Sequence, residues 1–122
     1  MSDNERGTDM TTADTTYQIR LSSRFTQEHT ETSSMPGTFI NANGHGMLME
    51  FTLGELHELW SRADNYADPY YARDLAESGL ADLHRSAVKV LDQLRRADLL
   101  TLAKSQQARD AYNTQSDALR VN

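Results

Sequence analysis

A chain of 122 residues, 38% hydrophobic and 25% charged, has the size and composition of one globular domain with a single hydrophobic core. With no cysteine, disulfides, thiolate zinc sites, iron–sulfur clusters and cysteine nucleophiles are excluded. No uninterrupted apolar run exceeds three residues, so a membrane span and a signal-peptide core are excluded too, and a cytoplasmic protein is expected. The net charge of −6 is unevenly spread. Residues 1–54 carry seven acids against three arginines, whereas residues 80–109 carry Arg85, Lys89, Arg95, Arg96, Lys104 and Arg109 against Asp82, Asp92 and Asp98. Such a gradient is compatible with anion binding, but mixed charges on a solvated helix face are its commoner meaning.

Residues 1–14 hold almost nothing apolar and are expected to be disordered, because they cannot bury enough surface to offset their ordering entropy. From Thr15, the residues Tyr17, Ile19, Leu21, Ser23 and Phe25 alternate with Gln18, Arg20, Ser22 and Arg24, the period of a half-buried strand. A polar stretch from Gln27 to Pro36 reads as a long loop. Asn43-Gly44 then predicts a hairpin turn between strands near 38–42 and 45–51, setting Ile40 opposite Met47.

Thr52 and Glu55 have the spacing of a capping box, so a helix starts at Leu53, with Leu53, Leu56, Leu59, Trp60 and Ala63 along one face. Asp68-Pro69 is a second helix start, since aspartate caps and proline fits the first turn. From there to Ala103 nearly every residue favours helix, yet 35 such residues would span about 52 Å, too long for a compact domain of this size. A break or kink at Ser78-Gly79 is therefore expected, giving helices near 69–78 and 80–103. The second carries the stripe Leu80, Leu83, Ala87, Val90, Leu91, Leu94 and Ala97. The tail from Ser105 is polar and expected to be partly helical or loose. The expected architecture is α+β: a three-stranded antiparallel β-meander followed by two or three helices on one face, as a single domain over residues 15–104.

No chemistry-bearing motif is complete. His57-Glu58 opens like the zinc motif HExxH, but Ser61 stands where the second imidazole must face the ion. His29, His45 and His84 have no histidine or carboxylate at ligand spacing. Nucleophile elbows, P-loops and dinucleotide fingerprints are absent, and Asn41–Gly46 precedes a strand rather than a helix, so no helix dipole would assist an anion there. No enzymatic activity, cofactor, metal or small-molecule substrate is therefore expected.

Trp60, Tyr66, Tyr70, Tyr71 and Arg73 gather around the connection between the first two helices. These residue types dominate binding energy at interfaces because they present large, stiff, amphipathic surface, so a protein-binding or regulatory module is the first reading. The second helical stripe has the spacing of a seam between two helices, which predicts a homodimer through Leu83, Ala87, Val90 and Leu94. The stretch from Asp74 to Leu100 resembles the winged-helix DNA-binding proteins in its leucine-alanine-glutamate run, short turn, following helix and closing Leu99-Leu100. That resemblance implies an alternative, a DNA-binding regulator with Arg85, Ser86 and Lys89 in the major groove and Arg95 and Arg96 on phosphates. DNA is the less favoured partner given the acidic net charge. A third reading is a small acidic inhibitor of a nucleic-acid-handling machine, its carboxylates imitating phosphates.

Overall fold

The computed structural model describes residues 15–21, 35–44 and 46–121. The expected disorder of residues 1–14, the strand positions Ser23 and Phe25, most of the loop from Gln27, and His29 and His45 lie outside the described residues. Strands β1 (Thr16–Leu21), β2 (Thr38–Asn43) and β3 (Gly46–Thr52) are followed by helices α1 (Leu53–Ala67), α2 (Pro69–Glu77), α3 (Ala81–Arg96), α4 (Leu100–Lys104) and α5 (Gln106–Val121). The α+β arrangement of an antiparallel sheet followed by helices is as the sequence predicts. Five helices follow it rather than two or three, and the strand order is β1-β3-β2, so the last strand is central where a meander would place the second.

Period-two alternation determines which face of the sheet is buried. Tyr17 pairs with Phe51, Ile19 with Met49 and Leu21 with Met47, so one face of β1 and β3 is apolar and lies on the core. In the hairpin, Asn43 pairs with Gly46 and Ala42 with Met47, which corrects the expected pairing of Ile40 with Met47. Asn43 stays in the ladder, and the left-handed backbone of this hairpin includes Gly46 (φ 129°), so the turn lies one residue later than the Asn-Gly dipeptide suggests. An irregularity at Ile40 then restores a pairing of Phe39 with Met49.

The capping box at the start of α1 is complete: the Glu55 amide donates to Thr52 Oγ1 (3.2 Å) and the Thr52 amide to Glu55 Oε1 (2.9 Å). Leu53, Leu56, Leu59 and Ala63 are buried as the stripe requires. The break at Ser78-Gly79 is also present. Gly79 (φ 80°) takes the left-handed position that ends α2, and the Leu80 amide reaches back to Leu75 O (2.6 Å).

A second break, at residues 97–99, corrects the expected helix over 80–103. Asp98 (φ 60°) adopts the same left-handed conformation as Gly79, and the Leu99 amide donates to Leu94 O (2.8 Å). Aspartate is among the few residues other than glycine that enter this region readily. The polar tail is likewise more ordered than expected. Ser105 Oγ accepts from the Ala108 amide (3.1 Å) and donates to Leu102 O (2.8 Å), starting α5, whose Ala108 and Ala111 pack with Leu53 beside Tyr17. Gly54 permits this close approach, since a Cβ there would lie 2.6 Å from Gln115 Oε1 and 3.3 Å from Tyr112 Cα.

The stripe of α3 is part of the chain's own interior, which corrects its assignment to a dimer seam. Ala87, Val90 and Leu94 are buried in one cluster with Ile19, Phe51, Leu56 and Leu59, and Leu83 is half-buried beside Ala87 and Val90. Ala87, Val90 and Leu94, already covered by α1 and the sheet, are not available to a second copy.

Substitutions at two positions follow from this core. Leu94→Ala should cost about 2–5 kcal/mol, and Leu94→Glu should leave no cooperative transition in urea denaturation. Gly37→Ala should destabilise as well, because Gly37 has φ 110° and an added Cβ would lie 2.6 Å from the ring of buried Phe51.

Candidate functional site

The corner between α1 and α2 is made by a single residue. Asp68 ends α1, with its amide on Asn65 O (3.3 Å), and begins α2, with its carboxylate accepting from the Tyr70 amide (2.8 Å) and Pro69 at the first helical position. Two helices sharing one cap cannot separate far, so the aromatic residues on either side of the corner are brought together. The Tyr66 and Tyr71 rings meet edge to face, with centroids 6.4 Å apart. His84 on α3 fixes the same corner from below, its Nδ1–H donating to Tyr66 O (3.0 Å).

Exposure separates these residues into two groups. Tyr66 is half-buried and packs against the core, whereas Tyr70 is 87% exposed and Tyr71 50% exposed. Helix α2 buries only Leu75, so Tyr70, Arg73, Asp74 and Glu77 lie on an open, shallow face. Asp68, Asp74 and Glu77 lie beside Tyr70 together with Arg73, and these residues and Asp64 are all exposed.

Trp60 is not part of this group. Its ring meets His57 at 5.3 Å between centroids, and His57 in turn meets Tyr112 of α5 at 5.5 Å. His57 is buried, and its Nδ1 lies 3.0 Å from Ala103 O of α4. A carbonyl only accepts, so Nδ1 carries the proton and the imidazole bridges α1 to α4. Helix periodicity alone does not reveal this role, since the acceptor is 46 residues away. Among the described residues no group of three His, Asp or Glu side chains is arranged to hold a metal ion. A dimple between α1 and α3, bordered by Leu59, Ala63, Tyr66, Ala87 and Val90, holds about 10 Å³, no more than the room of one water.

The residues of the winged-helix resemblance fall on different sides of α3. Arg85, Lys89, Arg95 and Arg96 are exposed, but Ser86 is only 3% exposed and faces the interior, out of reach of a groove. Arg85 pairs with Asp82, and Arg95 (3.2 Å) and Arg96 (2.9 Å) both pair with Asp92, so carboxylates offset much of the local positive charge. Helices α4 and α5 follow where a wing hairpin would stand. No protein-family model, curated protein or solved structure matches the chain. Among the described residues no helix is long and apolar enough to cross a membrane.

Stability measurements should separate the corner from its surface. Asp68→Ala, which removes the shared cap, should cost about 1 kcal/mol in urea denaturation. Tyr70→Ala should change stability by no more than about 0.5 kcal/mol, because so little of the ring is buried by the fold.

Proposed function

We propose that the chain is a non-enzymatic protein-binding or regulatory module whose contact surface is the outer face of α2. The observation that carries this reading is the exposure of Tyr70 and Tyr71 on a helix that buries one residue. Covering a large aromatic side chain releases about 1.5–3 kcal/mol relative to leaving it in water, so two such rings can anchor a complex. The Tyr70 ring contributes little to the fold, and half of Tyr71 remains open beyond its contact with Tyr66. The exposed Asp64, Asp68, Asp74 and Glu77 favour a partner that brings apolar contact at the centre and basic groups at the rim.

The full chain, immobilised and presented with the soluble proteins of its host, should retain a defined partner that Tyr70→Ala/Tyr71→Ala loses while keeping its far-UV circular dichroism. Retention of the same partner by both forms would place the contact elsewhere. Random-sequence duplex DNA at low salt should give no tight, salt-sensitive complex, because a net charge of −6 with Arg85, Arg95 and Arg96 paired to carboxylates repels phosphate. Binding that falls steeply with added salt would favour the nucleic-acid reading instead.

A further inference from the structure

We propose that the outer face of α2 receives an arginine-bearing segment of a partner protein, one guanidinium lying on the Tyr70 ring beside the Asp74 and Glu77 carboxylates. This rests on the reading of α2 as the contact surface. Tyr70, Asp74 and Glu77 follow one another at helical spacings of four and three, so one face of α2 presents all three, and they border the same open, shallow surface. With 87% of Tyr70 exposed, a face of its ring is open to a cation. Arginine suits this site better than lysine, because its planar guanidinium stacks on an aromatic ring while its edge donates to carboxylates.

The use of carboxylates identifies the occupant as cationic. Residues 64–77 hold four, Asp64, Asp68, Asp74 and Glu77, against the single basic residue Arg73. On α3 both carboxylates are taken, Asp82 by Arg85 and Asp92 by Arg95 and Arg96, and on α1 Glu58 pairs with Arg62. Among the described residues neither Asp74 nor Glu77 has a salt bridge, with Arg73 or any other cation. An arginine placed four residues before a glutamate is the weaker order for such a pair. Negative potential is therefore left uncompensated beside the exposed ring.

Other occupants fit this charge less well. A second copy brings Arg85, Arg95 and Arg96 already held by their own carboxylates, and two chains of net charge −6 repel each other. Nucleic acid would bring phosphates to a face that is already negative. A basic protein segment is drawn to α2 by its charge, and the ring then selects which cation is held.

In nuclear magnetic resonance titrations of the isotope-labelled full chain, capped tetra-arginine should shift the amides of residues 70–77 first, bind more tightly than capped tetra-lysine and be released by added salt. Tyr70→Leu, which keeps apolar area but removes the ring, should weaken tetra-arginine binding by about two- to fivefold and abolish its advantage over tetra-lysine. Asp74→Asn should weaken both peptides by about twofold or more, whereas Asp98→Asn, which removes the same charge from an exposed site off α2 where asparagine accepts the left-handed backbone, should leave both unchanged. Shifts spread over the whole acidic surface, equal binding of the two peptides, or equal effects of Asp74→Asn and Asp98→Asn would overturn the proposal. A host partner lost with Tyr70→Ala/Tyr71→Ala but indifferent to Asp74→Asn/Glu77→Gln and to salt would overturn the arginine inference alone, whereas a partner indifferent to the tyrosine pair would overturn the reading of α2 on which it rests.

Discussion

The contact of α3 with α1 and the sheet is the interaction on which the rest of the structure depends. Without cysteine, the chain has no disulfide or thiolate metal site to stabilise it, so burial of apolar surface must supply most of the driving force. Ile19, Met49 and Phe51 supply one side of that core, Leu56, Leu59 and Ala63 a second, and Ala87, Val90 and Leu94 a third. Each element has one apolar face, and none can bury it alone. Helices α4 and α5 close the remaining side of α1, where the His57 imidazole and the small residues Gly54, Ala108 and Ala111 set the spacing.

The exposed features follow from how this core is filled. Because α3 covers the sheet and α1, α2 is left outside with Leu75 as its buried contact, and Tyr70 and Tyr71 face water. The helices also stop short of β2, whose residues all remain exposed although the strand is paired with β3. Two uncovered surfaces of different chemistry result. The outer face of α2 is aromatic with acidic residues about it, whereas β2 is uncharged and leaves Phe39 and Ile40 exposed.

Much of the fold was legible in the sequence because local signals and tertiary structure agree there. The alternation through Tyr17, Ile19 and Leu21, the capping box at Thr52 and Glu55, and the shared corner at Asp68-Pro69 each specify their element without distant information. The stop at Asp98 was hidden because an aspartate entering the left-handed region looks, in sequence, like any other helix-surface residue. Helix α5 was legible only as a tail expected to be partly helical or loose, because its small, polar face packs only where Gly54 opposes it. Of the candidate site, the tyrosines and Arg73 were legible as a cluster, but Trp60 was grouped with them by sequence distance while its ring turns to His57. The periodicity of α3 showed a buried face, but that face was assigned to a second copy. What covers it could not be read from one helix, since a partner helix and the chain's own sheet demand the same spacing.

Native-state hydrogen exchange resolved by residue tests this account most directly. If the α3 contact holds the fold together, amides in the interiors of β3, α1 and α3 should exchange only through global unfolding and share one free energy, while those of α2 exchange through local opening at a clearly lower one. Protection of α2 equal to that of α3, or opening of α3 while β3 and α1 stay protected, would contradict it.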